Sequence, residues 1–263
     1  MSSAAKWGDL APRVLSGVLM AGAGMLAVWA GGWAFLLLVA ALCGLIAWEL
    51  ARMTNPAQPG AAVQIGLMAA LAIVLAGILP AAFTLPITLA PALAGAGILR
   101  RNNGLFAMFA AWVLLAGLGF VLLREQGGML WLLWLVLVVV ASDMAGYFCG
   151  KALGGPKFWP RISPSKTWSG TFAGWLAAAL VGVVFALVAG AGWHIVGVSV
   201  IVALAAQAGD IAESALKRRM GVKDSSALIP GHGGVFDRFD GMVGAAALLL
   251  ILMGLGLLHL AEF

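Results

Sequence analysis

The chain has 263 residues, of which 63% are hydrophobic and only 10% charged, with a formal net charge of +5. A globular protein carries about 25% charged residues, so this chain has too few to cover a water-facing surface. The composition excludes a disulfide scaffold, a disordered tail and a single-anchor enzyme with a large soluble head. It implies a membrane protein, since a spanning helix takes roughly 20 apolar residues.

The first twelve residues are polar and carry Lys6 and Asp9. They read as a retained end rather than a signal peptide, because the next apolar run is followed at once by another. Apolar runs lie at 14–30, 32–50, 61–79, 81–99, 104–122, 129–148, 170–191, 194–213 and 241–260. They predict an all-α, polytopic protein with nine transmembrane helices. Continuous runs of this length differ from the roughly ten-residue alternating segments of a membrane β-barrel. Pro86 and Pro91 interrupt the fourth run. The 36 glycines suit spans that pack closely, and Gly146 with Gly150 has the spacing of a helix contact, within or between subunits. Cys43 and Cys149 sit in separate runs and make no disulfide framework.

Charge placement predicts orientation. With the amino end in the cytoplasm and the carboxyl end outside, 14 of the 15 basic residues face the cytoplasm, and only Arg124 falls outside. The net positive charge therefore reads as membrane topology, not as a nucleic-acid surface. Two cytoplasmic segments, Asp143 to Gly170 and Asp210 to Asp240, hold six of the ten acidic and nine of the 15 basic residues. A chain that concentrates scarce charges in two places places its chemistry there.

Along the eighth helix, Asp210, Ser214 and Lys217 fall on one face. A carboxylate near the membrane end of a span is costly unless paired or cation-bound. Two readings stand: a structural pairing of Asp210 or Glu213 with Lys217, or a cation site. Next comes Pro230-Gly231-His232-Gly233-Gly234, a tight turn whose N–H groups suit a phosphate. Asp237 and Asp240 begin the ninth helix three residues apart. They either cap that helix or, beside Lys and Arg, hold Mg²⁺ on a polyphosphate. Glu49, at the end of the second run, reads as a paired structural charge. His194 and His259 mark the outer ends of helices, and Arg100 and Arg101 read as topology anchors.

From Ser214 to Asp240 the chain resembles the signature of the phosphatidate cytidylyltransferases, or CDP-diacylglycerol synthases. Seventeen specified positions over 27 residues match: Ser214, Leu216, Lys217, Arg218, Lys223, Asp224, Ser226, Ile229, Pro230, His232, Gly233, Gly234, Val235, Asp237, Arg238, Phe239 and Asp240. Gly209, Asp210 and Glu213 resemble the family's lead-in. Asp143, Tyr147 and Gly150, followed by Ser163-Pro164-Ser165-Lys166-Thr167-Trp168-Ser169-Gly170, resemble a second family stretch. There Ser165 replaces a Lys and Ser169 a Glu. The resemblance covers roughly residues 140–243; the amino-terminal half matches only in hydropathy.

The resemblance implies one membrane domain: amino-terminal helices over 1–140, a catalytic region over 141–243 and a last span over 244–263. It implies that CTP and phosphatidate give CDP-diacylglycerol and pyrophosphate at the cytoplasmic face of the cell (inner) membrane, by a homodimer. On this reading Asp210, Asp237 and Asp240 hold Mg²⁺, with room for a second cation. Lys217, Arg218, Lys223 and Arg238 hold phosphates, joined by Ser163, Lys166, Thr167, Ser214, His232, Gly233 and Gly234. Asp143, Tyr147, Glu213 and Asp224 line the pocket. The alternatives are another CTP-using membrane lipid enzyme (a lipid-alcohol kinase or an archaeal-type lipid cytidylyltransferase), a transporter, and an inactive scaffold. A transporter predicts paired repeats and mid-span charges, whereas the charges here gather at one face.

Overall fold

The computed structural model describes residues 10–229 and 231–258, and only the backbone of 10–16. Lys6, Asp9, Pro230 and His259 therefore fall outside the described residues. The helices are α1 (Leu10–Ala30), α2 (Gly32–Thr54), α3 (Pro59–Ile78), α4 (Ala81–Ile98), α5 (Asn103–Leu153), α6 (Trp168–Val188), α7 (His194–Arg219) and α8 (Phe236–Gly254). Between α5 and α6 lie two strands, β1 (Lys157–Trp159) and β2 (Ser163–Thr167). Among the described residues, α2 to α7 are each long and apolar enough to cross a membrane.

The helices follow the apolar runs with two differences. The fifth and sixth runs join in the 51-residue α5, broken only at Gly128, whose φ of 78° and ψ of −168° leave the helical region. The expected loop around Arg124 is therefore helical, and the break falls where glycine tolerates positive φ. The second difference is a short addition to a nearly all-α chain. β1 and β2 form an antiparallel hairpin with Lys157 opposite Thr167 and Trp159 opposite Ser163. Phe158 explains the strand locally, because its ring packs on Trp168 with centroids 4.6 Å apart. Pro86 and Pro91 leave α4 continuous, as spans tolerate proline where neighbours satisfy the freed groups. Cys43 and Cys149 are both free thiols.

The chain divides into two compact units, Met1–Gly117 with Met220–Phe239, and Leu118–Arg219 with Asp240–Phe263. In the first, α2 and α3 pack through glycine. A Cβ on Gly44 would stand 2.8 Å from the Gly66 carbonyl oxygen, and one on Gly66 would stand 2.9 Å from that of Gly44. Ile46, Leu50, Ile65 and Ile73 fill the buried core around this crossing. Asn55 clasps the far turn: its Nδ2 donates to the Arg101 carbonyl (2.6 Å) and its Oδ1 accepts from the Arg101 amide (2.9 Å).

In the second unit, α6 turns Gly174, Ala178, Gly182 and Phe185 inward and leaves Leu176, Leu180, Val184 and Leu187 exposed. Apart from Phe185, the residues inside are small and those outside are large and apolar, the pattern of a helix packed against protein in a bilayer. The Gly146–Gly150 pair meets α6 within the chain, where Gly146 stands against Gly170 and Gly150 against Thr167. Gly209 of α7 and Gly244 of α8 leave similar room for each other's backbone.

Candidate functional site

The second unit holds an open cavity of about 630 Å³, within the range of small-molecule sites. Its walls come from α5 (Asp143, Tyr147, Lys151), the hairpin (Lys157, Lys166, Thr167), the start of α6 (Thr171) and α7 (Gln207, Asp210). Five predicted site residues thus meet here: Asp143, Tyr147, Lys166, Thr167 and Asp210. The hairpin carries Lys166 to α7, where its ammonium pairs with the Asp210 carboxylate. Asp210 also accepts from the Ser214 hydroxyl at 3.3 Å, as their shared helix face predicts. Lys217 instead pairs with buried Glu213 at 2.6 Å, one turn along α7. Of the pairings left open from sequence, Glu213–Lys217 is therefore the one that forms.

Asp240 precedes the apolar run that starts at Gly241. Burial first, and then the Asp210 carboxylate, push its carboxyl up to about 7. Asp143 pushes the same way, while the Gly241 amide and Lys217 oppose the shift; that amide donates to Asp240 Oδ1 at 2.7 Å. A carboxyl whose proton affinity is raised by neighbouring carboxylates also suits a hard divalent cation. Among the described residues, no three His, Cys, Asp or Glu side chains stand together as a metal-holding group. A Mg²⁺ at Asp210 and Asp240 would take the rest of its shell from water and phosphate, since Mg²⁺ keeps several waters. The donor set does not supply a protein-only cage.

Thr167 is as much structural as it is pocket lining. It is the N-cap of α6, accepting from the Gly170 amide at 3.2 Å, and lies 3.0 Å from the Ser169 hydroxyl. Ser169, which departs from the family's Glu, donates to the Gly154 carbonyl at 2.5 Å. Ser163 sits on β2 opposite Trp159 and does not line the cavity. Arg218 is exposed near the end of α7.

The signature loop belongs to the first unit, where it folds around two carboxylates. Asp237 Oδ2 accepts from the Ser225 amide (2.9 Å), the Ser225 hydroxyl (2.9 Å) and the Gly234 amide (2.8 Å). Asp237, in the first turn of α8, thus ties Ser225 and Gly234 of the loop together, and none of these donors is an amide of α8. Arg238 donates through Nε and Nη2 to the His232 carbonyl at 2.9 and 2.6 Å. Of the turn's amides, those of His232 and Gly234 have partners within the loop. The His232 amide donates to the Ile229 carbonyl at 2.9 Å, and the Gly234 amide goes to Asp237. These donors close the turn on itself, because the chain supplies its own anion. Gly233 holds a φ of 84° there. Lys223 and Asp224 are exposed on the same loop.

Gln207 escaped sequence reasoning, and Glu49 has partners other than the ionic one expected for a paired charge. Gln207 ties three helices at the cavity: its Oε1 accepts from Trp175 Nε1 at 2.9 Å, and its Nε2 faces the Ser142 hydroxyl (3.4 Å) and the Thr171 carbonyl (3.5 Å). A lone amide inside an apolar run was the available signal. Glu49 is buried, and its partners are hydroxyl and amide donors rather than a Lys or Arg. No local pattern near residue 49 points to a loop 176 to 187 residues away.

Compared with known proteins, residues 11–255 match the cytidylyltransferase family. The chain belongs to that family. A phosphatidate cytidylyltransferase of Brucella suis is 48% identical over 129 residues, which are 48% of this chain and 48% of that protein. One of Brucella abortus is 47% identical over the same length. One of Staphylococcus epidermidis is 37% identical over 165 residues, 59% of this chain and 63% of that protein. The chain thus spans about half the length of the Brucella relatives it matches. Family membership covers the amino-terminal helices as well, where the motifs are silent.

Proposed function

We propose that this cytidylyltransferase acts on phosphatidate, joining it to CTP to give CDP-diacylglycerol and pyrophosphate. The observation that carries the reading is the cavity where Lys166, Asp210 and Asp143 meet, in a chain similar to proteins named phosphatidate cytidylyltransferase. A lipid phosphate oxygen is already a nucleophile, so the reaction needs no strong base. The obstacle is repulsion: unit charges 4 Å apart cost roughly 1 kcal/mol in water and about 4 kcal/mol at a surface-like dielectric. Positioning and neutralisation therefore govern in-line attack at the α-phosphorus.

Asp210 and Asp240 hold Mg²⁺ in this proposal, with Asp143 beside them. Bound Mg²⁺ would supply positive charge for the polyphosphate, and the proposal includes a second cation near these acids. Lys166 neutralises Asp210, and a phosphate oxygen is the competing acceptor for its ammonium. Lys151 and Lys157 add positive charge to the cavity wall. The proposal extends to nine spans with the amino end cytoplasmic, to a homodimer and to the cell (inner) membrane. Asp210→Asn keeps size but removes the charge, and is expected to lower CTP- and phosphatidate-dependent turnover at least 100-fold at saturating Mg²⁺. Near-normal turnover of this variant would refute the metal assignment. Turnover of wild-type protein with a lipid alcohol but not with phosphatidate would refute the substrate.

A further inference from the structure

We propose that Glu49 is a positioning residue that clamps the signature loop to α2. The inference deepens the functional reading, because that loop carries Lys223, Asp237 and Arg238. Glu49 is fully buried, with 0% of its surface exposed. Its Oε1 accepts from the Ser226 hydroxyl (2.6 Å) and the Val235 amide (2.8 Å). Its Oε2 accepts from the Ser225 hydroxyl (3.1 Å) and the Phe236 amide (2.8 Å). Each oxygen thus receives one hydroxyl and one backbone amide. Phe236 is the first residue of α8, so the clamp also places a carboxylate at that helix's start, where the exposed amides favour negative charge.

The same clamp reaches Asp237. The Ser225 hydroxyl stands 3.1 Å from Glu49 Oε2 and 2.9 Å from Asp237 Oδ2, so one proton serves two carboxylates. Ser225 also gives its backbone amide to Asp237. Fixing Ser225 therefore fixes Asp237. Gly234 is part of the fit, since a Cβ there would stand 2.0 Å from the Ser225 hydroxyl oxygen and 2.5 Å from Glu49 Oε1.

The arrangement requires an acceptor at both oxygens. In Glu49→Gln, the NH₂ group meets a backbone amide whichever way it is turned. A hydroxyl can rotate to accept from it; a backbone amide cannot. Glu49→Asp keeps both acceptors but is one methylene shorter. A clamp predicts that Gln is the worse substitution, whereas a role in packing alone predicts that Asp is, because Gln preserves shape and volume.

The test is amide hydrogen exchange on the full chain in detergent micelles, which reads the loop whether or not the protein turns over phosphatidate. Glu49→Gln is expected to speed exchange over residues 234–236 at least tenfold, leave residues 44–66 within about threefold, and exceed the effect of Glu49→Asp. The KM for CTP is expected to rise about tenfold in Glu49→Gln, with kcat falling less. Unchanged exchange over 234–236, an equal rise over 44–66, or a larger effect from Asp would overturn the proposal. An unchanged KM in an active Gln variant with a loosened loop would do the same. Ser226→Ala removes one donor without opposing an amide, and is expected to speed exchange at Val235 about threefold. Should neither Glu49 variant fold, no change in Ser226→Ala would refute the clamp.

Discussion

At the scale of single residues, acidic side chains do two kinds of work. Glu49 and Asp237 serve as internal anions around which the signature loop closes, while Asp240 is held by burial and by the Asp210 carboxylate in a state that favours its proton. The second arrangement has a measurable pH signature. Asp240 is held at about 7 in the folded protein, against 3.8 ordinarily. Between those values the folded state keeps a proton that the unfolded chain has released. Unfolding then releases protons, so stability falls as pH rises through the window. In metal-free protein, the apparent Tm is expected to fall between pH 4 and about pH 7, and Asp240→Asn to flatten that part of the curve. Scans at fixed ionic strength check it. The acidic pairs were legible as sequence spacing, but their division of labour was not. Asp237 and Asp240 are three residues apart, yet the first accepts from Ser225 and Gly234 while the second takes its amide bond from Gly241.

At the scale of elements, glycine decides where helices approach. Hydropathy located the helices because burial in lipid depends on apolar length, not on partner identity. Which faces meet depends on where a side chain is missing. A Cβ on Gly170 would stand 2.5 Å from the Gly146 carbonyl oxygen, so Gly170→Leu drives a whole side chain into backbone. Overpacking costs about 1–3 kcal/mol. The variant is expected to lower the apparent Tm by several degrees in a thermal scan, whereas Gly197→Leu, with open space at its Cβ, is expected to leave it within about a degree. The hairpin shows the reverse weakness of hydropathy. Lys157 to Thr167 is too short and too charged to register as an element, and only its pairing and the packing of Phe158 on Trp168 define it. That hairpin nevertheless delivers Lys166 to Asp210.

At the scale of the whole molecule, charge distribution predicts orientation. With 14 of 15 basic residues assigned to one side, the positive-inside rule favours a cytoplasmic amino end and an external carboxyl end for nine spans. Alkaline phosphatase fused after Phe263 is then expected to be active, and the same fusion after Arg219 inactive; the opposite pair of activities would reverse the topology. Exposed Leu176, Leu180 and Leu187 on α6 agree with a lipid-facing surface, since water would penalise that stripe. The sequence by itself determined the membrane class, the helix positions and the two charged segments, because apolar length and charge scarcity are properties of the chain alone. It also carried the family motif. Only the tertiary structure decided that Lys166 pairs with Asp210, that Lys217 turns to Glu213 and that Glu49 closes the signature loop. Those contacts depend on which donors a buried carboxylate finds after folding, and no local spacing encodes a partner more than 170 residues away.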